Sequence, residues 1–116
     1  MPLSFTEIYR VVKLIPKGRV MSYSGIARQC GYPRAARQVG YAMYGLPEPL
    51  SDKVPWWRVI NAQGRISNAY GPEEQKRRLQ SEGVAVSAVM RVDMRKYDGE
   101  PAVYKKLSRR KPVGGP

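Results

Sequence analysis

The residues available for chemistry in this chain are few. Its 116 residues include one cysteine, Cys30, and no histidine. Ser-His-Asp and Cys-His arrangements are therefore impossible, and one thiol cannot assemble a common zinc site. No metal and no cofactor is expected. Catalysis would have to rest on carboxylate, Lys or Tyr groups. Cys30 falls on the inner face of a helical segment with nothing to activate it, and a buried Cys behaves as a small hydrophobe. The other unusual feature is the stretch Pro55-Trp56-Trp57-Arg58-Val59-Ile60. Indole offers one N–H donor, no ionisable thiol and no basic nitrogen for proton transfer. Tandem tryptophans can form a wall or a stacking surface, although aromatic side chains are more often buried for packing.

Charge points to the partner. Lys and Arg number 21 against 9 Asp and Glu, a formal net charge of +12. Such an excess speaks of association with polyanions rather than of fold. Nucleic acid is the first candidate and an anionic membrane surface the second. No run of about 18 apolar residues is present, so no spanning helix and no membrane partner are expected. No secretory signal is visible. The lone Cys fits a reducing compartment, and a cytoplasmic or nucleoid location, nuclear in a eukaryote, is expected.

Ser4-Phe5-Thr6-Glu7 is an S-x-x-E capping box, and Phe5, Ile8, Val12 and Ile15 recur at helical spacing. Pro16 and Gly18 end that helix. Val20 and Met21 form a short extended link, and Ser22 caps a second helix with Tyr23, Ile26, Ala27 and Cys30 on one face. Gly31 closes it. Pro33 is expected in the first turn of a third helix. Ala36, Val39, Met43 and Leu46 should line its inner side, with Arg34, Arg37, Gln38 and Tyr41 opposite. Two short helices with a basic outer face on the second read as a helix-turn-helix or as a plain helical hairpin. Residues 45–54 should be a loop, Trp57 to Ile60 a strand, and Asn61 to Gly64 a turn. Pro72 opens a further helix ending near Glu82, with Leu79 as its core contact and Lys76-Arg77-Arg78 as a solvated face. Residues 84–92 should form a short strand or hairpin. The expected division is one domain over 1–104 and a basic, disordered tail over 105–116.

Pro55 to Ile60 resembles the Pro-Cys-His-Arg-Val signature of the O6-alkylguanine-DNA alkyltransferases. Three further segments agree with that family in order. Ile15 to Val20 with Ser22-Tyr23 is similar to the approach to its helix-turn-helix. Ala36 to Met43 is similar to its recognition helix, and Ser81-Glu82-Gly83 to the place of its site glutamate. The resemblance covers residues from Ser4 to Glu82, the DNA-binding domain rather than the family's separate N-terminal domain. It implies a mostly α fold with a short β element, a winged-helix-like helix-turn-helix domain.

By this resemblance Trp56 stands in place of the alkyl-accepting Cys and Trp57 in place of its His. That pattern resembles the alkyltransferase-like proteins, which recognise damage without a transfer reaction. The resemblance implies that the recognition helix enters the minor groove. The small residues Ala35, Ala36 and Gly40 suit a close approach, and Arg34 and Gln38 flank it. Arg37 is the arginine implied to fill the gap left by an extruded base, and Tyr23 the tyrosine implied to press on the 3′ phosphate. Trp56, Tyr23, Asn68 and Tyr70 are implied to line a lesion pocket, although Asn68 and Tyr70 match only loosely. Pro55, Trp57, Arg58 and Glu82 are expected to be structural, with Glu82 bonded to Arg58 or to nothing. The family's hinge asparagine is not clearly matched within Pro47 to Val54.

The expected function is therefore non-enzymatic. A monomer would bind duplex DNA containing O6-alkylguanine, flip that base beside Trp56 and mark it for nucleotide-excision repair proteins. Flipping costs a few kcal/mol, and less at a damaged pair. A stacking indole can return about 1–3 kcal/mol. The alternatives are a sequence-specific helix-turn-helix transcription regulator, against which the small residues on the third helix argue, and an enzyme using Cys30 or a Lys.

Overall fold

The computed structural model describes residues 3–67 and 71–110. Helix α1 spans Phe5–Val12 and buries Ile8, Val11 and Val12. The Ser4 side chain caps it by accepting from the Glu7 N–H at 3.2 Å. The reciprocal half of the capping box is not made, because the Glu7 carboxylate pairs with Arg10 at 2.6 Å instead. A turn through Gly18, whose positive φ of 84° suits glycine, leads to strand β1, Met21–Ser22. Helix α2, Tyr23–Gln29, follows at once, with the Ser22 side chain accepting from the Gly25 N–H.

Helix α3 spans Ala36–Tyr44 and packs across α2 and α1. Pro33 is not in its first turn as the sequence suggested. It lies in a separate turn in which the Ala35 N–H bonds to the Tyr32 carbonyl, and the helix begins at Ala36. The buried face is consequently Ala35, Val39 and Ala42, while Ala36 and Met43 are half-buried. Ala35, Val39 and Ala42 join Ile8, Val12, Ile15, Ile26 and Ala27 in one core cluster.

Val59–Ile60 forms strand β2, which pairs parallel to β1 with Met21 opposite Val59 and Ser22 opposite Ile60. The strand is shorter than the Trp57–Ile60 stretch expected, because Trp56–Arg58 make a 3₁₀ turn before it. Helix α4, Pro72–Ser81, buries Leu79 and Gln75. The stretch 84–92 is a loop with a turn near Ser87, joined to Arg65 by a single antiparallel bridge at Arg91. Helix α5 covers Met94–Tyr97.

Helix α6, Glu100–Arg110, corrects the expectation of a disordered tail from residue 105. Its Val103 is fully buried and Leu107 packs on the main core. Glu100 binds Arg28 and Gln29 of α2, and Lys106 donates to the Leu14 carbonyl at 2.8 Å. An apolar residue every fourth position was enough to dock a segment whose composition is basic. Residues 111–116 of the expected tail lie outside the described residues. No described helix is long and apolar enough to cross a membrane.

Candidate functional site

Pro55 is buried and starts the 3₁₀ turn that sets the two tryptophans side by side. Their rings meet edge to face, 5.9 Å apart at 88°. Neither ring is fully buried. Trp57 points toward the protein. Its indole N–H donates to Glu82 Oε2 at 2.9 Å. Arg58 runs beside it, donating charge-assisted bonds to Glu82 from two nitrogens, the shortest 2.6 Å, and donating to the Ile15 carbonyl at 2.9 Å. The Gly18 N–H is the fourth donor to the same carboxylate, at 3.2 Å. Burial pushes the Glu82 carboxyl up, but the bonds from Arg58, Trp57 and Gly18 outweigh it and hold the group below the ordinary value. The structure thus brings Trp57, Arg58 and Glu82 into one cluster that ties the end of α1 to the end of α4.

Trp56 faces the other way, into a cavity of about 390 Å³. Cavities of about 300–1,000 Å³ hold small organic ligands. Tyr23 at the start of α2 forms another wall, and Gly40, Met43 and Tyr44 bring α3 to it. Burial pushes the Tyr23 phenol up, with Tyr44 adding to the effect, so it stays protonated and able to donate. Gln75 of α4 forms part of the lining. Its amide nitrogen donates to the Trp57 and Val59 carbonyls at 3.1 and 2.9 Å, which fixes the backbone that carries both rings. Nothing in the sequence singled out Gln75, since a glutamine on a helix is usually exposed.

Arg78 was also missed. It belongs to a run of three basic residues expected to be solvated. Yet its guanidinium lies 5.5 Å from the Trp56 ring centre and 4.8 Å from that of Trp57. Glu74, one turn earlier, holds it at 2.7 Å. The pairing with Arg77 and Arg78 lowers the Glu74 carboxyl to about 2. Arg78 therefore backs the tryptophan pair, whereas Arg77 remains largely in solvent.

On α3, Arg37 and Gln38 are exposed, and Arg34 is exposed in the preceding turn. Arg37 precedes Gly40 and Tyr44 by three and seven positions, so it shares their side of the helix and lies a turn beyond the cavity. An added Cβ at Gly40 would meet nothing within 4 Å, so that surface is open. Ala35 departs from its expected place on this surface. At 7% exposure it belongs to the core, a consequence of the later helix start, while Ala36 is half-buried. Asn68 and Tyr70 lie outside the described residues. Cys30 packs against the core, does not line the cavity, and its thiol is pushed up to about 11, chiefly by burial. Among the described residues no group of His, Cys, Asp and Glu could hold a metal ion.

Residues 4–84 match the family described as 6-O-methylguanine DNA methyltransferase, DNA binding domain. The chain is 45% identical over 96 residues to the DNA base-flipping protein of Vibrio parahaemolyticus, covering 82% of this chain and 94% of that protein. It is 48% identical over 86 residues to alkyltransferase-like protein 1 of Schizosaccharomyces pombe, covering 71% and 77%. The crystal structure of S. pombe Atl1 in complex with damaged DNA containing O6-carboxymethylguanine superposes with a TM-score of 0.76 at 38% identity, over 84% of this chain and 97% of that one. The O6-methylguanine methyltransferase of Mycobacterium tuberculosis gives 0.59 at 35% identity, over 67% and 47%.

Proposed function

The chain belongs to the family of 6-O-methylguanine DNA methyltransferase DNA-binding domains, as an alkyltransferase-like member, and on that footing we propose that it reads DNA damage without repairing it. It binds duplex DNA from the minor-groove side through α3. Arg37 enters the stack, Tyr23 presses on the backbone, and an O6-alkylguanine rotates into the cavity beside Trp56. The indole occupies the seat of the family's alkyl acceptor. The bound complex is a flag for nucleotide-excision repair proteins. It acts as a monomer in the compartment that holds the genome.

One observation carries this reading. A cavity sized for a small ligand is walled by Trp56 and Tyr23 and borders the exposed basic helix, with no thiol or imidazole on its lining. Such a site can hold a base by stacking and shape but lacks the thiol that would accept an alkyl substituent and the imidazole that would activate it. Glu82 is occupied by four donors and has no base to serve.

The test compares one duplex carrying guanine or O6-methylguanine at moderate salt. Wild type should prefer the lesion, and Arg37→Ala and Trp56→Ala should each weaken that preference by about 1–3 kcal/mol. Equal affinity for the two duplexes defeats the proposal. Labelled alkyl groups should stay on the DNA, also for Trp56→Cys, because Trp57 cannot activate the new thiol.

A further inference from the structure

Two arginines face each other across the only bridge that pairs residues 64–66 with residues 90–92 among the described residues. The Ile66 N–H bonds to the Met90 carbonyl at 2.9 Å, and the Val92 N–H to the Gly64 carbonyl at 2.7 Å. Arg65 and Arg91 are therefore a non-hydrogen-bonded antiparallel pair. In such a pair the side chains leave the same face, with Cβ atoms about 4.5–5.5 Å apart. Both residues are exposed, and among the described residues neither guanidinium has a hydrogen bond or an ion pair. Asp93, two residues along, uses its carboxylate to cap α5.

Like charges directly opposite each other destabilise a strand pair. The backbone nevertheless holds them in register. Gly64 has a φ of +79°, and a Cβ there would come within 2.5 Å of the Val92 carbonyl oxygen. Met90 takes a φ of 61°, which a side-chain-bearing residue rarely adopts. Arg65 lines a groove with Asn61, Ser67, Pro72, Val89 and Met90, whereas Arg91 lines a second depression with Gln63, Ser87 and Lys96. Pro72 directly follows Gly71, which lines the cavity beside Trp56.

We propose that Arg65 and Arg91 form a clamp for a backbone phosphate of the duplex, next to the nucleotide in the Trp56 cavity. Two guanidiniums can each donate to the non-bridging oxygens of one phosphodiester, and the anion relieves their mutual repulsion. The clamp adds grip that is independent of base identity, while the cavity supplies lesion preference. It rests on the reading of that cavity as a base site.

The experiment titrates wild type and the Arg65→Gln/Arg91→Gln double variant against unmodified and O6-methylguanine duplexes over a range of salt. The variant should lose about tenfold in affinity for both duplexes alike. The slope of log K against log salt should shrink by about 1. The lesion preference should not change. One methylphosphonate linkage near the lesion should weaken wild type and have no effect on the variant. An unchanged slope overturns the clamp, as does a methylphosphonate scan in which every position weakens both proteins equally. Equal affinity of wild type for the two duplexes would instead defeat the base site, and the loss on unmodified DNA would still report the clamp.

Discussion

Glu82→Ala removes one carboxylate and strands four N–H groups, from Trp57, Gly18 and two positions on Arg58. The Glu82 side chain is only 8% exposed and that of Arg58 14%. Breaking a buried pair from one side costs about 3–5 kcal/mol, because the remaining charge has no partner. Arg58 keeps its bond to the Ile15 carbonyl and its place 5.4 Å from the Trp57 ring centre. The loss should therefore fall near the lower end, about 3–4 kcal/mol. Against a total stability of about 5–15 kcal/mol, that is a large fraction. At about 3–6 °C per kcal/mol for a chain of this size, Tm should drop by about 10–20 °C. Acidity gives a second signature. The folded Glu82 carboxyl lies below its ordinary 4.5, so its stabilising effect is full above that value and lost as pH falls through the folded one. Urea melts of wild type and variant should thus converge on acidification. A gap under about 1 kcal/mol at neutral pH would refute the reasoning, since that is the scale of a solvent-exposed ion pair. So would a gap that persists unchanged in acid.

Arg78→Ala should cost about 1 kcal/mol through lost cation–π contact and increase acrylamide quenching of tryptophan fluorescence in the free protein. Unaltered quenching would show that Arg78 does not hold the rings. Gly40→Ala should stabilise the fold by about 0.5–1 kcal/mol, because helix interiors favour alanine and the added methyl meets open space. The same variant should bind duplex DNA more weakly if α3 approaches the groove along this surface, and undiminished binding would place the contact elsewhere. Val103→Ala should lower the urea-derived stability by about 1–3 kcal/mol, as for other buried truncations. A neutral result would mean that α6 is not docked.

Much of this architecture follows from short-range signals. The Ser4 and Ser22 caps, the turn glycines and the apolar spacing of α1 and α2 define those helices before any contact is considered. The tryptophan segment stood out because tandem indoles are rare and have limited chemistry. What escaped was set by contacts distant in sequence. Arg78 looks like any lysine-arginine run until α4 is laid against Trp56 and Trp57. Gln75 is polar by type and buried by position, because two carbonyls of the tryptophan segment need a donor. Ala35 changed sides because a proline placed one turn earlier opened a separate turn. Helix α6 has a composition typical of disorder, and only the α2 surface with Arg28 and Gln29 gives Glu100 and Val103 somewhere to bind.

The two-residue parallel pairing of β1 and β2 has a mechanical result. Met21 and Ser22 are stitched to Val59 and Ile60, so the serine that begins α2 is tied to the chain leaving Trp56–Arg58. A backbone displacement on filling the cavity would be passed through this pairing to the start of α2, which packs on α3, the helix proposed to meet the duplex. Occupancy of the cavity and the set of α2 are thereby geared together.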